Sequence, residues 1–262
     1  MILRPMHNRY DRTRLSAPMF SLAGCASAGK LPDEYVGKFS RGHFLSPGVP
    51  LLMGSVILPR DVPRVLRVPI KRPGSAYRIP GELWPLRTVL DHAICAEHAS
   101  NHAANKMHAH VTFDRQFVIA GETHRMPGFH VDGFQGSHKA PKPVEHSYIA
   151  VSGEPTQFSD SGYDIRHLPS WAHAFAILGS LVRPSDVFDI EEMRLYRMSC
   201  YQVHRTPPVR RTGWRSFVRV TFAHEELEDN RNTVNPHFDG QSYRERSDIR
   251  DSLVVTEWPN ER

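Results

Sequence analysis

Cysteine is scarce in this chain, and long apolar runs are missing. The 262 residues include three cysteines, Cys25, Cys95 and Cys200, and no two of them have CxxC spacing. Three cysteines cannot all pair with one another, so we expect no disulfide framework and take a reducing, cytoplasmic environment as the default. Because no run of about 20 apolar residues is present, we expect no membrane-spanning segment.

No convincing signal sequence or internal repeat is visible either. Residues 22–25 look like the cleavage site of a bacterial lipoprotein signal, but residues 15–21 before it are short, polar and broken by proline. Such a stretch makes a poor apolar core for a signal peptide. A length of 262 residues without repeats suits a single domain over residues 1–262.

Neither sign of charge dominates the sequence. Lysine and arginine total 33 against 28 acidic residues, which gives a net charge of +5, and arginine is spread along the chain. A mildly basic protein suits an anionic ligand, but charge alone does not choose between a small acid and nucleic acid. A nucleic-acid partner therefore stays open at this point but is not indicated.

The chain divides into three stretches of different texture. Residues 1–105 are irregular and helical, with short strands expected between 45 and 81 and a helix predicted over 86–105 from apolar residues at three- and four-residue steps. Residues 106–225 contain a series of predicted strands and form the predicted core. Residues 226–262 mix both charges and are expected to form a C-terminal arm.

The predicted elements of the core favour one fold class. A short helix is expected over 171–178, where Ser170 can cap its start. The predicted strands cover residues 110–113, 116–119, 148–151, 193–204 and 215–222. Helical cover followed by a run of strands indicates a mainly β protein, namely a double-stranded β-helix of the jelly-roll, cupin-like type.

The most informative motif is His130-x-Asp132, followed much later by His204. Alternate residues of a strand point the same way, so His130 and Asp132 are expected to project together, with His204 on a strand beside them. Two imidazoles and a carboxylate on one face of an octahedral ion leave three positions open, as in non-haem Fe(II) oxygenases. The pattern predicts a metal centre with no catalytic side chain beyond its ligands.

Two arginines on the next predicted strand can complete a pocket. Arg215 and Arg219 share a strand face, and the connection through Pro207 and Pro208 can bring them to the cavity of His204. A buried guanidinium is costly without an anion, and it matches a carboxylate bidentately. A solvated strand face is the alternative for both arginines.

With these residues the sequence resembles the Fe(II)/2-oxoglutarate-dependent oxygenase superfamily, in particular its taurine dioxygenase-like branch. The resemblance covers about residues 86–222 and rests on His130-x-Asp132, Thr156, His204 and Arg215. It implies that Fe(II) is bound by the two histidines and the aspartate, with 2-oxoglutarate and O2 as co-substrates.

The resemblance also implies how the co-substrate is held. The branch has a threonine about two dozen residues after the carboxylate, and Thr156 occupies that place. Its arginine follows the distal histidine by about eleven positions, which is Arg215, and Arg219 matches a second arginine. Arg215, assisted by Thr156, would hold the C5 carboxylate of 2-oxoglutarate, and the choice between Arg215 and Arg219 stays open.

The implied activity is oxidation of a small molecule, with release of succinate and CO2. Halogenases of the superfamily replace the metal carboxylate by a small residue, so the presence of Asp132 favours hydroxylation or another oxidation. The stretch between Thr156 and His204 is much shorter than in the taurine dioxygenase type, where an insertion often forms a lid. The substrate class therefore does not transfer with the resemblance.

Three further residues are candidates for the substrate pocket. Phe134 and Gln135 directly follow the metal carboxylate, and His110 lies at strand spacing from His108. A rim or surface position is the alternative for each. Two other functions also stay open: modification of a nucleotide or nucleic acid by the same chemistry, and a catalytically inactive jelly-roll binding protein. The intact triad disfavours the second, because an unused polar cluster in a core is expensive.

Overall fold

The computed structural model describes residues 49–125, 128–134, 145–161, 178–226 and 232–239. The strands in these residues are β1 (Leu51–Ser55), β2 (Val65–Lys71), β3 (His108–Val118), β4 (His146–Ser152), β5 (Gln157–Ser159), β6 (Val187–Asp189), β7 (Arg194–Ser199), β8 (His204–Arg205) and β9 (Gly213–Ala223). They form a six-stranded sheet of order β1-β7-β4-β9-β3-β2 and a three-stranded sheet of order β6-β5-β8. All pairings are antiparallel, which confirms the mainly β, antiparallel part of the predicted fold.

The longest described helix, α1 (Arg87–Ser100), packs its apolar side on the six-stranded sheet. A 3₁₀ turn, Gly81–Leu86, precedes it, and the backbone becomes extended at Asn101. The Ser100 hydroxyl donates back to the carbonyl of Ala96 at 2.8 Å, which satisfies a terminal carbonyl. The predicted helix over 86–105 is therefore real but shorter, and its last residues form a separate 3₁₀ turn, Ala104–Lys106.

β3 and β9 form the longest strand pair of the larger sheet. Its residues pair without a break from His108 opposite Ala223 to Val118 opposite Gly213. Since strand side chains alternate, β9 turns Val218 and Val220 to α1 and Phe217 to the other face, as predicted for 215–222. The two strands predicted over 110–113 and 116–119 are one continuous strand, β3.

Two cores lie on the two faces of this sheet. The larger core joins the sheet to α1. The second joins the larger sheet to the smaller one, and its buried members are Ile149, Val151, Phe158, Ile190, Tyr196 and Met198. By the same alternation Arg215, Arg219 and Thr221 of β9 lie on this second face, on the side of the smaller sheet.

The long strand predicted over 193–204 is wrong. The chain leaves the larger sheet after Ser199, turns, and enters the smaller sheet at His204. The turn is held by its own side chains, since the Gln202 amide oxygen accepts from the Ser199 backbone N–H at 2.9 Å and the Ser199 hydroxyl accepts from the Tyr201 N–H at 3.2 Å.

Segments from outside the predicted core complete the edges of the larger sheet. β1 and β2 are its two outer strands, although both come from the stretch 1–105. Part of the predicted C-terminal arm packs on β2: the Thr233 N–H donates to the Leu66 carbonyl, and the Asn235 amide donates to the carbonyls of Pro69 and Arg78. Asn235 is fully buried.

The cysteines differ from one another. Cys200 is a buried free thiol, whereas Cys95 is disulfide-bonded. No helix in the described part of the chain is long and apolar enough to cross a membrane. The lipoprotein-like segment at 22–25, most of the helix predicted over 171–178, and Gln135 lie outside the described residues.

Candidate metal centre

A two-residue β-bridge brings His130 and His204 together. The His130 N–H donates to the His204 carbonyl at 2.9 Å, and the His204 N–H donates to the His130 carbonyl at 3.0 Å. Residues paired in this way are direct cross-strand neighbours with side chains on the same side. The two imidazole centroids are accordingly 4.4 Å apart.

Both imidazoles are oriented by the same local hydrogen bond. Nδ1 of His130 lies 2.9 Å from the carbonyl of Gly128, and Nδ1 of His204 lies 2.9 Å from the carbonyl of Gln202. A carbonyl can only accept, so each Nδ1 carries the proton and each Nε2 carries the lone pair. This is the tautomer that a metal-binding histidine needs, with a carbonyl fixing the ring.

Asp132 reaches the same point from a turn. It begins a 3₁₀ turn, Asp132–Phe134, so the prediction that the carboxylate projects from a continuing strand is wrong. The Gly133 N–H donates to the Cys200 carbonyl at 2.7 Å, and a Cβ at this glycine would meet the Tyr201 ring at 2.4 Å. The turn therefore requires glycine directly after the aspartate.

The three side chains converge on one point. Their ligand atoms all lie within 4.8 Å of one another, and Nε2 of His204 is 3.8 Å from Oδ2 of Asp132. Among the described residues this is the one group of three or more potential ligand side chains close enough for an ion. The predicted triad is thus brought together from the bridge, the turn and β8.

The electrostatics of the cluster suit a cation. Burial alone would raise the pKa of Asp132, but the charge of Arg219 and the neighbouring imidazoles hold the pKa of that carboxyl well below its usual range. Burial, assisted by His130, lowers the pKa of His204 to about 4. At neutral pH the cluster therefore has an ionised carboxylate and an unprotonated His204, the states in which these groups bind metal.

Arg215 lies deep between the sheets, with 2% of its surface exposed. Its Nε donates to the carbonyl of Glu154 at 2.8 Å, and its Nη groups make no hydrogen bond within the described residues. Burial and the charge of Arg125 lower the pKa of Arg215 to about 9. A buried cation with two unused N–H edges is a position that an anionic ligand would stabilise.

The segment that carries Thr156 is tied to Arg215. Glu154 lends its backbone carbonyl to Arg215, and its carboxylate accepts from the Arg210 N–H and Nε at 2.9 and 2.7 Å. Two residues on, the Thr156 hydroxyl is buried and has no hydrogen-bond partner within the described residues. Arg215 therefore contacts the segment that carries Thr156, and the resemblance assigns both residues to the same carboxylate.

Arg219 lies at the other end of the same strand face. Its Nη2 donates to Oδ2 of Asp132, and its Nε donates to the Ser147 hydroxyl at 3.0 Å. Arg219 is thus next to the candidate metal ligands, whereas Arg215 is four residues away, about 13 Å along the strand. The two arginines have different surroundings that the sequence did not distinguish.

The candidate pocket residues have different outcomes. His110 lies on the polar face of β3, 2% exposed, and its ring stacks on His108 at 6.1 Å. The Nδ1 atoms of both rings are buried without a partner among the described residues, and burial lowers the pKa of His110 to about 3. Phe134 lies in the turn after Asp132, so the strand expected to carry it to the cavity mouth does not continue.

Sequence reasoning missed a second group beside Arg215. Asp114, 3% exposed, accepts from Arg64 and Arg125 at 2.7 Å each. The guanidinium carbons of Arg125 and Arg215 both lie 5.3 Å from the centroid of the Phe217 ring. Arg64 with Asp114 and Arg125 with Phe217 are far apart in sequence, and no spacing rule signals these contacts.

His124 is part of the same missed group. Both of its ring nitrogens are buried without a hydrogen-bond partner in the described ranges. Burial and the charges of Arg215 and Arg125 lower the pKa of His124 to about 3. The ring is therefore neutral at physiological pH, and the local sequence contains no motif that marks it.

Comparison with known proteins identifies no family for this chain. No protein-family model matches the sequence, and no curated protein matches it. Among solved structures, the crystal structure of AviO1 from Streptomyces viridochromogenes Tue57 is similar, with 12% identity, a TM-score of 0.34, and coverage of 66% of this chain and 77% of AviO1. A similarity at this level carries no inference about function.

Proposed function

We propose that this protein is a non-haem Fe(II)/2-oxoglutarate-dependent oxygenase that oxidises, by hydroxylation in the simplest case, a small-molecule substrate. The observation that carries the proposal is the convergence of His130, Asp132 and His204, with both imidazoles held in the tautomer that presents Nε2. Two imidazoles and one carboxylate are the donor set of such iron centres, and they leave three positions for ligands.

The residues present fit a ferrous ion by their chemistry. Each imidazole has its Nδ1 proton bonded to a carbonyl, and the carboxylate is ionised. Zinc is the main competitor for two histidines and a carboxylate. The buried Arg215, on the same strand face as Arg219, favours iron with an oxo-acid, because a simple zinc hydrolase site does not require it.

The proposed fold is a double-stranded β-helix, the jelly roll of the cupin type. In support of it, the antiparallel sheets pack through Ile149, Val151 and Phe158, and the donor residues lie where the smaller sheet meets the larger. Closed or double-sheet β architectures commonly hold ligands in the space between their sheets.

Arg215 and Thr156 bind the distal carboxylate of 2-oxoglutarate in this proposal. The guanidinium offers its two Nη edges and the threonine offers its hydroxyl, all without partners in the described residues. An oxo-acid lying along β9 would have its keto end at the donor residues, beside Arg219 and Asp132, and its far carboxylate at Arg215. When bound, Fe(II) with 2-oxoglutarate and O2 supplies the oxidising power to attack an unactivated C–H bond, releasing succinate and CO2.

In this proposal His110 lies on the substrate side of the pocket. Its burial on β3, next to β9, supports a role in orienting the substrate and excluding water. The described residues give no basic stripe that would favour nucleic acid: the arginines of this region pair with Asp114, Glu154 and Asp132. A small molecule is therefore the proposed partner, in a cytoplasmic enzyme.

The test is anaerobic addition of Fe(II) and 2-oxoglutarate to the full chain. An oxygenase of this class gives a weak visible metal-to-ligand charge-transfer band, and succinate forms on aeration. The same addition to Asp132→Ala gives neither. Absence of both signals from the wild-type protein would favour a jelly-roll binding protein instead. Screening amino acids, nucleosides and phosphorylated metabolites for increased succinate formation then identifies the substrate class.

A further inference from the structure

Arg219 is held on two sides by the protein itself. Its Nη2 donates to Oδ2 of Asp132, and its Nε donates to the Ser147 hydroxyl at 3.0 Å. Ser147 is 4% exposed, lies opposite Thr221 in the sheet and hydrogen-bonds the Thr221 hydroxyl at 3.1 Å. The guanidinium is thus anchored to the frame of β4 and β9.

Asp132 needs such an anchor more than the two histidines do. Each imidazole is fixed by a carbonyl two residues earlier and by the β-bridge between the histidines. Asp132 lies in a 3₁₀ turn, where no ladder sets the direction of its side chain. A ligating carboxylate is normally oriented by a hydrogen-bond donor in the layer around the metal ligands.

We propose that Arg219 is a positioning residue that orients Asp132 for the metal and takes no part in binding 2-oxoglutarate. This inference rests on the proposed function. A carboxylate oxygen has two lone pairs, so Oδ2 can accept from Arg219 while facing Nε2 of His204, 3.8 Å away. Ser147 acts one step further out, because it fixes the direction of the guanidinium.

The two arginines of β9 then have separate roles. Arg215, buried and with both Nη groups unbonded in the described residues, binds the co-substrate carboxylate. Arg219 has its Nε and one Nη committed to the sheet and to Asp132. This division chooses between the two arginines that the sequence left as alternatives for the carboxylate.

The experiment is a titration of the metal-free full chain with Co(II). Binding is monitored by the d–d absorption of Co(II) and by competition with a chelating dye. Arg219→Gln is expected to weaken Co(II) binding by roughly 10- to 100-fold, the usual loss when a partner of a metal ligand is removed. Ser147→Ala is expected to shift affinity in the same direction by less. Arg219→Lys, which keeps the charge but not the fork, is expected to fall between wild type and Arg219→Gln.

A second measurement separates the two arginines. At saturating Co(II), Arg219→Gln is expected to bind 2-oxoglutarate with wild-type affinity by calorimetry, whereas Arg215→Met is expected to lose affinity. The matched control is Arg194→Gln, because Arg194 is also a strand arginine that contacts a serine hydroxyl and a carboxylate, those of Ser55 and Glu191. It lies at the β1–β7 edge, and its Co(II) affinity should equal that of wild type.

The outcomes are distinct. Wild-type or tighter Co(II) binding by Arg219→Gln overturns the positioning role, since the guanidinium would then compete with the ion. Loss of 2-oxoglutarate affinity in Arg219→Gln at saturating Co(II) also overturns it. Should Arg219→Gln fail to fold, Ser147→Ala decides by the same criteria. A wild-type chain that binds no Co(II) refutes the metal centre itself, and the role of Arg219 with it.

Discussion

Replacing Arg215 by methionine should separate folding from co-substrate binding, because the two effects have opposite signs. Arg215 is 2% exposed, and its hydrogen-bond partner is one backbone carbonyl. The guanidinium groups of Arg215 and Arg125 both contact the Phe217 ring. The pKa of Arg215 falls from 12.5 to about 9 through burial and the charge of Arg125, which corresponds to about 5 kcal/mol of cost for the charged form. Methionine fills similar space without that charge.

The expected gain in folding stability is smaller than the cost of the buried charge, because the substitution also removes the hydrogen bond from Arg215 to the Glu154 carbonyl. Replacing buried charges by apolar residues typically leaves stability unchanged or raises it by about 1–4 kcal/mol. We therefore expect Arg215→Met to unfold in urea with an unchanged or higher free energy of unfolding. Binding of 2-oxoglutarate should weaken by at least roughly 30-fold, the equivalent of about 2 kcal/mol for a truncated buried charge pair.

Urea unfolding followed by circular dichroism, and calorimetric binding of 2-oxoglutarate to the metal-loaded chain, measure the two effects. Arg211→Met is the matched control, because 81% of the Arg211 side chain is exposed, and it should change stability by less than about 0.5 kcal/mol. A variant that is destabilised by more than 1 kcal/mol and still binds 2-oxoglutarate normally would refute the reasoning, since Arg215 would then be a structural residue.

Three further predictions follow from single contacts. Thr156→Val should leave stability unchanged or slightly higher and weaken 2-oxoglutarate binding by roughly 10- to 100-fold in calorimetry, because its buried hydroxyl has no partner in the described residues; normal affinity would contradict this. Gly133→Ala should lower the unfolding free energy by about 1–3 kcal/mol and weaken Co(II) binding, since its Cβ would overlap the Tyr201 ring, whereas Gly213→Ala, with open space, should do neither. Burial alone would raise the pKa of Glu97. Its contacts with His146, Arg197 and Asn101 instead lower this pKa from 4.5 to about 2. Its carboxylate therefore stabilises the fold above pH 4.5 by about 3 kcal/mol, and this contribution is lost as pH falls toward 2. Urea unfolding across that range should show a loss about 3 kcal/mol larger in wild type than in Glu97→Gln, which keeps the contributions of the other carboxylates.

Local patterns predicted the elements that depend on local physics. The alternation along β9 and the helical period of α1 reflect burial on one face, and both are visible without any partner. The convergence of His130, Asp132 and His204 was also predictable, because His-x-Asp with a distal histidine is a known donor pattern of metal centres. The family resemblance narrowed the proposed co-substrate arginine to Arg215 and Arg219.

The two wrong strand predictions both lie where the chain makes a turn. Ser199 and Gln202 close a turn where residues 193–204 otherwise read as one strand. Gly133 allows a turn directly after Asp132, where period-two spacing predicts a strand. Side-chain hydrogen bonds close the first turn, whereas in the second the Gly133 N–H donates to the Cys200 carbonyl at a place where the Tyr201 ring leaves no room for a Cβ.

Contacts between distant residues were beyond sequence reasoning for a different cause. Ser147 with Arg219 and Glu154 with Arg210 join segments more than 50 residues apart, and their approach depends on the pairing of strands. A single sequence carries no record of that pairing. The separate surroundings of Arg215 and Arg219 became visible only with the sheet assembled.

The most direct test of the central claim is diffraction from crystals of the full chain grown anaerobically with Fe(II), measured on both sides of the iron absorption edge. One anomalous difference peak is expected within bonding distance of Nε2 of His130, Nε2 of His204 and the Asp132 carboxylate. An iron peak elsewhere, or a well-ordered pocket with no peak between these three side chains, would contradict the account.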